Sequence, residues 1–221
     1  MLRLVIALAA VAISQVSLAA PLAFELASKT GDEWDASFLW GTNEQSILVS
    51  ANGSLELTGA LVTGNRKRLK LPLQSQEWIS RLSVLRVGAD IFTAFDTDDG
   101  DSGRGMLCRI GVKSASVRWC QDIPGFNIFA AVGRDSAIFV GAIGFVGRLH
   151  PATGRIMWQQ SDLYTKDKTF NIFCAPVEEG NTVSMYATTG IVPSTGKRIL
   201  LDRRSGKILS ISDAEVSGGC Q

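Results

Sequence analysis

The chain has 221 residues, of which 46% are hydrophobic and 19% charged, a composition typical of a globular protein rather than a disordered one. With 22 basic and 21 acidic side chains, the net charge of +1 creates no overall field that would recruit nucleic acid or an anionic membrane surface. The length suits one large β domain or two small ones.

The first twenty residues have the features of a signal peptide. Arg3 supplies a positive charge, Leu4 to Ile13 form an apolar run of ten residues, and Ser17 to Ala20 offer small residues for cleavage. The run is too short to span a bilayer comfortably, so we expect no stable membrane insertion after cleavage. We therefore expect residues 21–221 to form a single exported domain, located in the periplasm or secreted.

The sequence repeats itself with a period near 45 residues. Phe126-Asn127-Ile128-Phe129 recurs 44 residues later as Phe170-Asn171-Ile172-Phe173, and each copy leads through a turn into an apolar run. Four such runs have anchors spaced 44, 47 and 45 residues apart, at Ile47, Ile91, Ile138 and Val183. A period of this length over four units is typical of propeller blades or related arrays.

Each repeat divides into four short strands. In the third unit we predict strands at Phe126–Val132, Ala137–Ile143, Phe145–Leu149 and Arg155–Gln160, separated by turn residues. Asn52-Gly53 is a two-residue hairpin signal, and we favour that turn over the overlapping glycosylation sequon. The predicted fold is all-β, a propeller-like array of about four four-stranded antiparallel blades, with Leu22 to Ala27 as a candidate closing strand for the last blade.

Four cysteines suit an oxidising compartment and allow three pairings. Cys108 and Cys120 flank the short turn from Gly111 to Ser116, so an in-register hairpin places them opposite one another, close enough to bridge. Cys174 and Cys220 are left as the second pair, which would tie the tail to the last repeat.

One turn carries a family resemblance. Pro151-Ala152-Thr153-Gly154-Arg155-Ile156-Met157-Trp158 resembles the blade signature of the pyrroloquinoline-quinone-type propeller repeat, in which a Thr-Gly turn precedes a tryptophan in the outer strand. Leu201 to Leu209 resembles it without the tryptophan, and Val112 to Trp119 has Ala115 where glycine is expected. The family includes cofactor-free members, such as the propeller lipoprotein of outer-membrane-protein assembly, so the resemblance does not imply quinone binding.

The resemblance implies four blade-docking residues. Glycine allows the positive φ of a tight hairpin, and tryptophan buries a large area against the neighbouring blade. The docking residues are expected to be Gly154, Gly206, Trp119 and Trp158.

Few residues suggest chemistry. Asp96, Asp98 and Asp101 resemble the start of a calcium loop, but the distal glutamate of such a loop is missing, and a mobile polar hairpin loop explains them as well. No other cofactor is predicted. His150 is the only histidine and falls within the hairpin signature, and no nucleophile elbow or phosphate-binding loop follows a strand.

A sequence rich in docking residues and poor in catalytic ones favours an exported, non-enzymatic binding or scaffold module that presents loops or blade edges to a protein partner. Two alternatives remain open. One is a quinoprotein-type cofactor-binding enzyme component, although that class usually has six to eight blades. The other is a carbohydrate-binding module that uses Trp34, Trp40 or Trp78. The sequence also leaves open whether the blades close within one chain or associate through their edges between chains.

Overall fold

In a computed structural model of the chain, the structure describes residues 22–40, 43–59, 66–161, 163, 172–188 and 196–214. These residues form twenty β-strands and no α-helix. It follows that none of them belongs to a helix long and apolar enough to cross a membrane. The predicted signal peptide lies outside the described residues.

The strands form four antiparallel sheets, each built on successive strands of the chain. The N-terminal segment contributes β1 (Leu22–Ala23) and β2 (Glu25–Leu26). The first sheet contains β3 (Ser28–Thr30), β4 (Glu33–Trp40), β5 (Asn43–Ser50), β6 (Ser54–Gly59) and β7 (Lys67–Lys70). The second contains β8 (Trp78–Val87), β9 (Asp90–Asp98), β10 (Gly103–Gly111) and β11 (Ser116–Ile123).

The third sheet contains β12 (Phe129–Val132), β13 (Ile138–Ala142), β14 (Phe145–Leu149) and β15 (Ile156–Gln160). The fourth contains β16 (Ile172–Phe173), β17 (Val177–Glu179), β18 (Thr182–Thr188), β19 (Gly196–Asp202) and β20 (Ile208–Ala214). The prediction of an all-β, propeller-like array of four antiparallel blades is confirmed. The predicted strands of the third unit match their observed counterparts to within three residues at every end. The Asn52-Gly53 turn joins β5 to β6, with Gly53 at φ +81°.

The sheets pack face to face in chain order, so each is one blade. One apolar core joins the first and second blades, another the second and third, and a third core the third and fourth. Strand β9 shows why the middle blades carry continuous apolar runs. Ile91 and Phe95 pack in the core with the first blade, whereas Phe92 and Ala94 pack in the core with the third.

The N-terminal segment crosses three blades, which corrects the expectation that it closes the last one. Strand β1 pairs with β12 of the third blade, β2 pairs with β8 of the second, and β3 pairs with β4 of the first. Ala27 is buried and its backbone N–H donates to the Leu82 carbonyl at 2.9 Å. The segment therefore pairs with the first long strand of each of these three blades and covers an edge that would otherwise expose unpaired backbone groups.

Candidate functional site

The docking tryptophans each meet a glycine of the next blade. A Cβ atom on Gly154 would lie 2.5 Å from Cε3 of Trp119, and one on Gly206 would lie 2.5 Å from Cδ2 of Trp158. The indole N–H of Trp119 donates to the Pro151 carbonyl at 3.1 Å, and that of Trp158 donates to the Arg203 carbonyl at 3.1 Å. Each tryptophan of the repeat signature therefore reaches the turn of the following blade.

An arginine accompanies each of these tryptophans. Arg109 lies opposite Trp119 in the sheet, and Arg148 lies opposite Trp158. The guanidinium of Arg109 donates to the same Pro151 carbonyl as the indole, at 2.9 Å, and also pairs with Asp90. At the corresponding position of the fourth blade, immediately before the same kind of bulge, the paired residues are Leu200 and Ser210. The arginine–tryptophan pair of the second and third blades is therefore replaced in the fourth.

The predicted hairpin disulfide is present. Cys108 and Cys120 are register partners on β10 and β11 and are bonded to each other, with Cα atoms 4.1 Å apart. Cys174 is also disulfide-bonded. Its predicted partner, Cys220, lies outside the described residues, so that pairing stays a prediction.

Most of the acidic segment belongs to strands β9 and β10, which corrects the expectation that Asp96, Asp98 and Asp101 lie together in a polar hairpin loop. Strands β9 and β10 continue to the pair Asp98 and Gly103. The short turn between them is stabilised by the Asp99 carboxylate, which accepts hydrogen bonds from the backbone N–H groups of Asp101 and Ser102. Among the described residues no group of three metal-ligating side chains is placed to hold a metal ion, and calcium binding by Asp96, Asp98 and Asp101 stays a prediction.

A cleft of about 730 Å³ opens beside this turn. We call the edge of the blades that carries the β9–β10 turn and the β11–β12 connection the upper edge, and this cavity the upper cleft. Its lining comes from the N-terminal segment and the first three blades, and includes Leu26, Trp34, Arg81, Asp96, Asp98, Asp101 and Phe126. The three carboxylates proposed from sequence as calcium ligands thus share one cavity.

Two local irregularities place the polar groups of the upper cleft. A bulge in β8 leaves Ser80 without a register partner, which re-aims the following residue, Arg81. In the β11–β12 connection, Asn127 has a φ of +57°, and the next N–H group, that of Ile128, donates to Asp96 Oδ1 at 3.2 Å.

Asp96 and Trp34, which both line the upper cleft, each have a buried polar atom without a hydrogen-bond partner among the described residues. Asp96 is 4% exposed, and its Oδ2 has no hydrogen-bond partner among the described residues. Trp34 is 5% exposed, and its Nε1 likewise has none within the described part of the chain. Burial raises the pKa of Asp96, opposed by the backbone N–H groups of Ile128 and Asn127 and by the charge of Arg81. The walls of the cleft therefore contain one buried acceptor and one buried donor that the described residues leave unpaired.

Arg81 and Phe126 complete the surroundings. The Arg81 guanidinium lies over the ring of Phe129, with Cζ 4.2 Å from the ring centroid, which is a cation–π contact. Burial lowers the pKa of Arg81, although an arginine stays charged throughout the range in which proteins are folded. Phe126 is 46% exposed, so an apolar ring stands beside the buried polar groups.

A charged network supports the upper edge from outside the cleft. Arg104 donates two hydrogen bonds to Glu77, at 2.6 and 2.8 Å, and also pairs with Asp122. The bond from Arg104 is the largest of the effects that lower the pKa of Glu77 to about 2. Glu77 also accepts from the Gln74 backbone N–H at 2.6 Å, so the network fixes the connection that leads into β8.

The sequence indicated parts of this site but not its assembly. It singled out Asp96, Asp98 and Asp101 by their spacing, and Trp34 and Trp78 because they fall outside the repeat position. Trp34 is in fact buried at the cleft, and Trp78 is 41% exposed on the upper edge. Arg81 carried no sequence signal, because a bulge cannot be read from alternation alone. The side chain of Trp40 lies outside the described residues.

No protein-family model matches the chain, and no curated protein matches it. Matches among solved structures include a europium-containing methanol dehydrogenase, 15% identical with a TM-score of 0.47, over 60% of this chain and 24% of that one. A quinohemoprotein alcohol dehydrogenase from Comamonas testosteroni is 15% identical with a TM-score of 0.46, over 59% of this chain and 20% of the enzyme.

A third match is an exo-β-1,3-galactanase from Phanerochaete chrysosporium in complex with galactose. It is 10% identical with a TM-score of 0.45, over 81% of this chain and 49% of the galactanase. This chain thus spans less than half the length of each of these three enzymes, and their activities are not carried over to it.

Proposed function

We propose that this chain is an exported, non-enzymatic binding module that holds a protein partner at the upper edge of its first three blades. The observation that carries the proposal is the upper cleft, where apolar side chains stand exposed around buried polar atoms. Leu26 is 63% exposed and Phe126 46%, and both line the cleft. Exposed apolar groups around a cavity with a few convergent polar groups are typical of binding sites.

The positions of the reactive side chains support a non-enzymatic role. His150, the only histidine, is exposed at the β14–β15 turn, on the edge opposite the upper cleft. Its Nδ1 lies 3.3 Å from the Thr153 hydroxyl, within the turn itself. The polar side chains that line the cleft are three carboxylates, a guanidinium, an indole, an amide and hydroxyls, and the lining includes neither a histidine nor a cysteine.

Export is supported by the apolar N-terminal segment and by disulfide bonding at Cys108, Cys120 and Cys174. Disulfides persist in oxidising compartments and are rare in a reducing cytoplasm. The proposed location is therefore the periplasm or the extracellular medium.

Site-specific photocrosslinking in the native compartment tests the protein-partner proposal. A photoreactive phenylalanine analogue at Phe126 or Trp78 should yield a discrete adduct with a second protein. Leu209, which is 50% exposed on β20 of the fourth blade, provides a matched control position and should give none. Adducts only from Leu209, or from no position, would contradict binding at the upper edge.

A further inference from the structure

The charges of the upper cleft are unbalanced. Three carboxylates line it, those of Asp96, Asp98 and Asp101, against one cation, Arg81. Asp96 is buried, yet among the described residues it belongs to no ion pair and its Oδ2 accepts no hydrogen bond. The charge of Arg81 offsets part of the cost of burying this carboxylate. An oxygen that accepts no hydrogen bond is still costly to bury, and buried carboxylates in proteins normally face a cation or a metal.

We propose that the floor of the upper cleft receives a lysine or arginine side chain of the protein partner, whose cationic head donates to Asp96 Oδ2. This inference rests on the proposed function and names the chemistry that the cleft recognises. An ammonium or guanidinium group supplies both the missing hydrogen bond and the missing positive charge.

The other groups of the upper cleft suit such a side chain. The Trp34 indole N–H is a donor without a partner among the described residues, so it can bind a main-chain carbonyl beside the basic residue. The exposed ring of Phe126 offers an apolar face to the methylene stem. Asp98 and Asp101 add negative charge at the entrance, which attracts a cation.

The one cation of the cleft, Arg81, attracts Asp96 but donates no hydrogen bond to its Oδ2. Arg81 lies over the Phe129 ring and forms no ion pair with Asp96 among those of the described residues. A calcium ion is a less suitable occupant, because Asp98 Oδ1 already accepts from the Gly100 N–H at 2.7 Å and Asp101 is exposed. The test below nevertheless includes calcium.

The probe is the capped peptide acetyl-Gly-Arg-Gly-amide, and its control is the same peptide with citrulline in place of arginine. Citrulline keeps the length and planar shape of arginine, removes the charge and has a carbonyl oxygen in place of one terminal nitrogen. Binding is followed by the indole N–H signal of Trp34 in ¹⁵N-labelled protein, assigned with Trp34→Phe. We expect the arginine peptide to shift this signal saturably and to bind roughly tenfold more tightly than the citrulline peptide.

Two variants locate the interaction. Asp96→Asn keeps the size of the side chain and removes its charge, and it should weaken the arginine peptide roughly tenfold. Asp213→Asn, on the exposed strand β20 of the fourth blade, should leave binding unchanged. If Asp96→Asn does not fold, the arginine and citrulline peptides compared on the wild-type chain still decide the question.

Three results would overturn the inference: equal binding of the two peptides, no response of Trp34 to either, or a response to Ca²⁺ but not to the arginine peptide. If a partner crosslinks at Phe126 and any of these results is also found, the upper edge binds a protein but does not recognise a basic residue. Loss of the Phe126 adduct would instead contradict the proposed function itself.

Discussion

The indole of Trp158 occupies the space that a side chain on Gly206 would need. Gly206 has a φ of +70°, and a Cβ atom there would lie 2.5 Å from Cδ2 of Trp158. Trp119 and Gly154 repeat the relationship one blade earlier. The matching turn of the second blade has Ala115, at φ +45°, and the strand β7 that precedes this blade carries no tryptophan. Glycine is thus found where an indole arrives, and alanine where none does.

Gly206→Ala should therefore destabilise the protein by about 2–4 kcal/mol, the sum of left-handed backbone strain and a clash with Trp158. Gly180→Ala is the matched control, because Gly180 has a φ of +63° and nothing within 4 Å of its Cβ position. It should lose only about 1–2 kcal/mol, from the backbone strain alone. Chemical denaturation measures both variants, and equal losses would show that the indole contact contributes nothing.

Trp158→Ala should cost roughly 3–5 kcal/mol, the usual range for a buried large aromatic. Trp158 is 9% exposed and packs in the core between the third and fourth blades. Trp119→Ala should behave similarly. Trp78→Ala is the comparison, because Trp78 is 41% exposed and its loss should cost about 1 kcal/mol or less. A Trp158→Ala protein as stable as the wild type would contradict the docking role.

The blades were predictable from sequence because each depends on local signals that recur. The 45-residue period, the Asn52-Gly53 turn and the facing of Cys108 and Cys120 all follow from alternation and turn chemistry, which act over short distances. The expectation that Leu22 to Ala27 closes the last blade was wrong, because the edge to which a lone short strand adds is decided by tertiary packing. The upper cleft was missed because Trp34 meets the paired residues Arg81 and Asp96 only through the packing of successive blades, and because the bulge that places Arg81 cannot be read from alternation.

The Glu77–Arg104 pair predicts how stability depends on pH. The pKa of Glu77 is lowered from 4.5 to about 2, so the pair's stabilisation is fully present above pH 4.5 and is lost as the pH falls towards 2. Glu77→Gln should cost about 2 kcal/mol at pH 7, and its deficit relative to wild type should shrink below pH 4.5. Denaturation of both proteins between pH 7 and 2 provides the measurement, and a deficit independent of pH would contradict the assignment.

The hairpin disulfide should stabilise the second blade. Cys108 and Cys120 are 12 residues apart, and closing a loop of that size in the unfolded chain contributes about 3 kcal/mol. The double variant Cys108→Ala, Cys120→Ala should lose about that amount in chemical denaturation.

Peptide mapping without reductant should also recover the Cys174–Cys220 link. A link from Cys108 to Cys174 would contradict the register of β10 and β11.

The N-terminal segment should hold together the second and third blades through its backbone. Ala27→Pro removes the N–H group that donates to the Leu82 carbonyl, and should cost about 2–3 kcal/mol. Ala27→Gly is the control at the same position, since it keeps this donor and should cost less than about 1 kcal/mol. Amide hydrogen exchange adds a local measure, because loosening the segment should speed exchange in β8 and β12, the strands that it covers. If Ala27→Pro is as stable as wild type and leaves exchange unchanged, the segment does not cover these edges in solution.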